Sequence, residues 1–354
     1  MKTIKKVLWI IVTYNILTLH AVIAQSPSRV STTAASFLEI GYGPAGCSMG
    51  DAYVSIPGDI SSQYWNPGGL SYMEKSSVIF SYQPWLVDIN TFFTAAGIVI
   101  PNIGTFAIGL IGVDYGEMKV TSVEMQQGTG ETFFANDYAF NVSFAKKLAP
   151  WFGFGATAKY IRSTIWHTSA NAMALDLGVL IETNFFSITG REENGLKIGM
   201  SLSNYGTKMQ YSGIDLLNSV DIAPNEAGNY KDSKASFDTD EWDIPLIFRV
   251  GVSVQPIVST YQKLTIGADA LHVNNNNETV NLGAEYMFNA PGIGKIFLRG
   301  GYRALFLKDS EFGTTFGFGV LKHFMGNSGI QFDYAYRNVG ILGTVNTFGV
   351  NLMF

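Results

Sequence analysis

The feature that most constrains this chain is a period of two that runs to its end. From Ile330 to Arg337, one face carries Ile330, Phe332, Tyr334 and Tyr336, and the other Gln331, Asp333, Ala335 and Arg337. Successive side chains of a strand point to opposite faces, so such a segment lies between an apolar and a polar medium. Similar ladders set Ile244, Leu246, Phe248, Val250, Val252 and Val254 against Arg249, Ser253 and Gln255, and Tyr138, Phe140, Val142 and Phe144 against Asp137, Asn141 and Ser143. Met173, Leu175, Leu177, Val179 and Ile181 likewise oppose Asp176 and Glu182, and Val280, Leu282, Ala284, Tyr286 and Phe288 oppose Asn281 and Glu285. Which face meets lipid is forced, because an arginine near the midplane of a bilayer costs about 2–4 kcal/mol.

Composition agrees with a membrane strand protein. Of 354 residues, 47% are hydrophobic but only 14% charged, against roughly 25% charged in soluble proteins. The mean hydropathy of +0.16 is too low for a bundle of apolar helices. One uncharged stretch, 89–113, is long enough for a transmembrane helix, but Pro101-Asn102-Ile103-Gly104 interrupts it and makes it a hairpin. Ladders separated by turns predict strands near 76–84, 91–100, 104–114, 135–147, 151–163, 171–183, 195–205, 244–255, 261–273, 278–288, 294–306, 311–323, 328–338 and 344–354. An even set of fourteen about ten residues long suits an all-β, membrane-spanning antiparallel β-barrel, closed so that no backbone edge meets lipid.

Loop lengths give its orientation. Connections 101–103, 148–150 and 324–327 are short and belong to the periplasmic side, whereas 115–134 and 206–243 are long and belong to the cell surface. The stretch 184–194 is a longer periplasmic exception. The last ladder, Phe348, Val350, Leu352 and Phe354, places an aromatic on the lipid side and resembles the C-terminal assembly signal of outer-membrane barrels. A soluble sandwich also alternates, but does not call for fourteen strands, this ending and a leader together.

That leader is 1–24: basic Lys2, Lys5 and Lys6, an apolar stretch, then small residues, with cleavage expected after Ala24. Its removal takes the net charge from -5 to -8 by loss of three lysines. The expected location is the outer membrane of a Gram-negative bacterium. No basic run outside the first six residues offers a nucleic-acid footprint, and a single cysteine, Cys47, excludes a disulfide framework or a cysteine-rich zinc site.

Residues 25–75 have another texture, rich in Gly, Pro and Ser, and are expected to form a plug inside a barrel of residues 76–354. Gly41-Tyr42-Gly43-Pro44-Ala45-Gly46 fits a dinucleotide fingerprint, but the βαβ context fails. Gly46-Cys47-Ser48-Met49-Gly50 fits a nucleophile elbow, yet His167, His272 and His323 show no spacing that completes a triad. Neither an enzyme nor a cofactor is expected. The segments Thr33 to Gly41, Met49-Gly50-Asp51-Ala52-Tyr53-Val54 and Tyr64-Trp65-Asn66-Pro67-Gly68-Gly69-Leu70 resemble the N-terminal signature of the PorV/PorQ family, within the FadL-like barrel group. The family pattern has Lys, Gly and Ala where this chain has Glu39, Asp51 and Gly68. The resemblance implies fourteen strands and an N-terminal plug, with Met49, Gly50, Asn66, Pro67, Gly68, Gly69 and Leu70 as its structural motif. Proline fixes φ, glycine permits positive φ, and Asn66 caps backbone donors.

The resemblance further implies an outer-membrane component of type IX secretion. Expected partners are outer-membrane lipid and exported proteins, through their C-terminal signal domains, or a large translocon subunit. The candidate partner surface is the acidic loop with Asp215, Asp221, Glu226, Asp232, Asp238, Asp240, Glu241 and Asp243 against Lys231 and Lys234. Asp238, Asp240, Glu241 and Asp243 also have calcium-type oxygens, without the glycine of an EF-hand loop. The alternative is a FadL-like transporter of hydrophobic small molecules, with a ligand in the lumen and a wall gap at Gly109 and Gly112. The expected lumen is charged, however, with Lys159, Asp176, Arg249, Asp269, Glu285, Arg299, Arg303, Asp333 and Arg337, which suits a network holding plug to wall.

Overall fold

The computed structural model describes residues 32–226, 233–307, 310–324 and 328–354; the expected leader, 1–24, and Asp232 lie outside them. Among the described residues fourteen strands form the wall: β1 Ser77–Pro84, β2 Asn90–Ile100, β3 Gly104–Lys119, β4 Thr132–Ala149, β5 Phe152–Ile165, β6 Thr168–Glu182 and β7 Lys197–Gly206, then β8 Ile247–Val258, β9 Gln262–Val273, β10 Thr279–Ala290, β11 Gly294–Leu305, β12 Thr314–His323, β13 Gly329–Asn338 and β14 Thr344–Met353. Each pairs antiparallel with the next, and β14 returns to β1 from Tyr82↔Phe348 to Ser77↔Met353. The ring is a closed barrel, the form in which strands can cross a bilayer with every backbone group paired. No helix among the described residues is long and apolar enough to cross a membrane.

The alternation follows the two media. On β4, Asp137, Ala139, Asn141, Ser143 and Ala145 are buried while Tyr138, Phe140, Val142 and Phe144 stand exposed on the outer face. On β13, Asp333 and Arg337 are buried and Phe332 is exposed. Phe348, Leu352 and Phe354 are exposed on the outer face beside half-buried Val350, and the Phe354 N–H donates to Ser76 O.

Three details differ from the sequence reading. β3 and β4 run on as a hairpin to Lys119↔Thr132, past a bulge at Asp114/Glu117, so only 120–131 remains of the expected loop 115–134. Ile244 does not face lipid; it is buried with the interior cluster, and β8 begins at Ile247. Its carbonyl and that of Pro245 accept from Asn274 and Asn204, which draws the chain inward. The connection 207–246 is also not plain loop, since Leu217–Val220 pairs with Ser233–Ser236 and Ser212–Gly213 adds to β6.

Inside the ring lies residues 36–73, folded into short helical turns at Ser36–Glu39, Pro44–Ser48, Ser62–Trp65 and Pro67–Tyr72. Phe37, Leu38, Tyr42, Met49, Ile60, Tyr64, Trp65 and Leu70 are all buried, with Phe93 and Ile111 of the wall. Burying each such side chain contributes roughly 1.5–3 kcal/mol. Both lookalike motifs belong to this packing. Pro44–Ser48 is a five-residue helix, and the Ser48 hydroxyl donates to Ala45 O at 2.8 Å.

Candidate functional site

The motif residues make close approaches between the inner segment and the wall. Gly50 has φ +65°, and a Cβ on it would lie 2.6 Å from the Tyr302 nitrogen on β11. Only glycine permits both that conformation and that passage. Buried Met49 sits beside it, against Gly283 and Gly301. Asn66 ends one turn and caps the next: its Oδ1 accepts from Gly68 N at 3.0 Å, while its Nδ2 donates to Val54 O at 2.7 Å and to Val179 O of β6 at 2.9 Å. One amide thereby ties two parts of the inner segment to the wall. Pro67 and Gly68 fit against Gly155 and Gly178, whose missing side chains leave the space. A Cβ at Gly68 would come within 2.8 Å of Val179 Cα. Gly69 and Leu70 complete the turn, with Leu70 wholly buried.

The three departures from the family pattern all make contacts here. Asp51 keeps the left-handed φ of +64° that suits glycine and turns its carboxylate to Arg303 at 3.0 Å and Arg337 at 4.0 Å. The same guanidiniums donate to carbonyls of the inner segment: Arg303 to Glu39 O and Ile40 O, and Arg337 to Ile40 O and to Gln83 Oε1 of β1. Glu39 accepts from Asn275 Nδ2 at 2.6 Å. Burial raises its carboxyl above the ordinary range, against the hydrogen bond from Asn275 and the charge of Arg303.

All nine charges expected in the lumen are turned inward. Lys159 pairs with Asp176 at 2.6 Å, and Arg299 bridges Glu285 at 2.7 Å and Asp333 at 2.6 Å. Asp269 accepts from Val54 N at 2.9 Å, and Arg249 lies over the rings of Tyr64 and Trp65. A cavity of about 220 Å³ remains towards the long loops, lined in part by Glu39, Trp85, Arg249, Arg303 and Phe312. At Gly109 and Gly112 the wall shows no gap: β3 pairs continuously with β2 and β4 from Thr105 to Asp114. Gly109 instead admits Gln63, and Gly112 admits the Phe92 ring.

The acidic residues of 207–246 do not converge. His167 Nδ1 meets Asp215 at 2.9 Å, Gln210 donates to Asp238, Lys208 approaches Asp243 at 4.0 Å, and Asp221 accepts from Ala223 N. Glu226, Asp240 and Glu241 are exposed. Among the described residues no cluster of His, Cys, Asp and Glu could hold a metal ion. The Asp215 carboxyl sits below the ordinary range: slight desolvation works against this, and the His167 ring, the His167 N–H and Thr168 outweigh it. The charged tie therefore survives acidification past the pH at which a free aspartate is protonated, and weakens as pH falls through the depressed value.

Sequence reasoning missed a set of inward lysines at the short-turn end: Lys147, Lys197, Lys263 and Lys295. Their phase was readable, since Lys263 falls in step with Asp269 and Lys197 with Ser201. Their convergence needs the register of the four strands that carry them, β4, β7, β9 and β11.

This geometry defines an outer-membrane β-barrel whose interior is occupied by its own N-terminal segment. The sequence model of a family described as type IX secretion system protein PorV matches residues 23–226, and the chain belongs to that family. Among solved structures it is similar to the Pseudomonas putida toluene transporter TodX, at 10% identity over 88% of this chain and 97% of that one with a TM-score of 0.53. It is also similar to the Ralstonia pickettii toluene transporter TbuX (11%, 88% and 97%, TM-score 0.51) and to a Pseudomonas aeruginosa FadL homologue (13%, 88% and 98%, TM-score 0.50). At such identities these barrels share the fold alone. No curated protein sequence matches the chain. The family places the protein in the outer membrane as a type IX secretion component, not an enzyme.

Proposed function

We propose that the protein serves type IX secretion by binding exported proteins, through their C-terminal signal domains, or a large translocon subunit, with connection 207–246 as the docking element. The observation that carries this reading is the chemistry of that connection. Beside its carboxylates it exposes Ile214, Leu217, Val220, Ile222, Phe237 and Trp242, with Ile222 68% and Phe237 63% exposed. A loop that only needs water has no use for such residues, whereas apolar anchors rimmed by charge are what protein interfaces are made of. A rigid barrel carries it, and the Asp215–His167 tie anchors its base. Residues 36–73 act in this reading as a plug, with Met49, Gly50 and Asn66 to Leu70 as its seat, and Phe348, Val350, Leu352 and Phe354 as the assembly signal.

Deleting 212–240 removes five of the six exposed apolar residues, all but Trp242, and most of the acidic charge, but leaves every wall strand intact. The expected result is a barrel that still reaches the outer membrane but no longer co-purifies in mild detergent with exported proteins or a translocon subunit. Unchanged cargo release and surface attachment in cells would sink the proposal. Passage of hydrophobic molecules, as in the toluene transporters, has less support, since the interior is filled by the plug's own side chains and paired charges.

A further inference from the structure

Of the five cations expected in the lumen, all but Arg249 have a carboxylate within 4.0 Å: Lys159, Arg299, Arg303 and Arg337. The short-turn end of the barrel breaks this pattern. There a cavity of about 460 Å³ lies between the wall and the inner segment, bounded by Pro57, Gly58 and Tyr72 to Lys75. Lys147, Lys197, Lys263, Lys295 and His323 enter it from the wall and Lys75 from the link between the inner segment and β1, against Glu74, Glu182 and Glu193. Five lysines against three glutamates leave an excess of two positive charges in a chain whose total is -5. Lys197 is paired with Glu182 at 2.6 Å, and Lys147 lies over the Tyr72 ring at 4.0 Å. Lys263 and Lys295, both half-buried, have no carboxylate within 4.0 Å among the described residues. A second observation points into the same space. Asn351 lines the cavity at 8% exposure, and its amide oxygen is buried without a hydrogen-bond partner; the two ends of an amide exchange by a simple flip, which would present a donor instead.

We propose that this vestibule is a binding site for a small phosphate-bearing anion that enters from the periplasm. Burying cations without counter-charges is costly, and a multivalent anion removes that cost for Lys263 and Lys295 together. Lysines suit the task because each is a compact point charge that engages a phosphate without a fixed fork. The volume lies within the roughly 300–1,000 Å³ range of small-ligand pockets, and the low-dielectric walls focus the positive field on the mouth.

The test uses the full-length protein, purified in mild detergent and also reconstituted into nanodiscs, with pyrophosphate as probe and sulfate at equal ionic strength as control. Titration calorimetry is expected to show saturable pyrophosphate binding, weakened at least tenfold in Lys263→Gln/Lys295→Gln and little changed in Lys322→Gln, which lies outside the cavity lining. In a second arm, anionic phosphatidylglycerol replaces zwitterionic lipid in the nanodiscs. If it competes with pyrophosphate in a manner dependent on Lys263 and Lys295, the phosphate is that of a lipid headgroup; without competition, it is a soluble one. Absence of saturable binding to the wild type, or equal binding by the double variant, overturns the proposal. A thermal melt of each variant separates loss of the site from loss of the fold.

Discussion

Arg299→Met should destabilise the barrel by about 3–5 kcal/mol, the size of effect expected when one partner of a buried charge network is removed. Arg299 is buried, with side-chain exposure of 2%, and its two carboxylate partners stand on either side of it: Glu285 on β10 and Asp333 on β13. Without the guanidinium, two carboxyls must either stay charged in a low-dielectric interior or take up protons. Gln331 still donates to Asp333 at 2.7 Å, so Asp333 is only partly abandoned. The measurement is reversible denaturant unfolding in detergent or vesicles. The triple variant Arg299→Met/Glu285→Gln/Asp333→Asn is expected to recover much of the loss, because it removes the stranded charges. A single variant as stable as the wild type would show that water reaches this cluster.

Gly178→Val should leave the wall standing and unseat what lies within it. Valine suits a strand, and the outer face of β6 is untouched. The new side chain, however, enters the space held by the Asn66 amide and comes within 2.8 Å of Gly68 N and Pro67 Cδ. Asn66 then loses its bonds to Val54 and Val179, and the turn at Pro67–Tyr72 is pushed off the wall. The chain holds its own reporter. Cys47 is the single cysteine, lies in the inner segment and has no exposed surface. Maleimide labelling without denaturant is expected to be negligible in the wild type and at least tenfold faster in Gly178→Val, with Gly178→Ala between them. Retention of strand circular dichroism would show that the barrel formed; unchanged labelling in a folded variant would show that the wall glycine does not set the seat.

The fold was legible in the sequence wherever lipid and lumen stood on opposite sides of a strand. Tyr138 to Phe144 and Phe332 to Arg337 could be assigned residue by residue because a slip of one position would turn charges to lipid. Legibility ended where the medium became the same on both faces. At the far end of the β3–β4 hairpin no residue of Glu117 to Lys119 or Thr132 to Phe134 is buried, so these stretches offer no inner face and read as loop. Leu217–Val220 has four exposed residues and no buried face to impose a period. The site was legible in part. Asn66, Pro67 and Gly68 stood out as turn chemistry, but the wall glycines that receive them, Gly155 and Gly178, lie far away in sequence. The charges of the lumen were likewise foreseen as a network, whereas their partners depend on register. Arg299 reaches Asp333 past an entire intervening strand, β12, where Gly319 leaves the gap; a side chain there would meet the Asp333 carboxylate.

The seam between β1 and β14 has a consequence for the order of assembly. Ser77 pairs with Met353, so the wall cannot shut until the last stretch of chain has arrived. Residues 36–73 precede the seam, yet they bond to late strands, through Arg303 of β11, Thr315 of β12 and Arg337 of β13. A filled interior cannot be threaded through a finished ring. The N-terminal segment must therefore be resting on the sheet while it is still an open, curling surface, a mould around which the last strands wrap, and closure of such a distant contact comes at the end of folding.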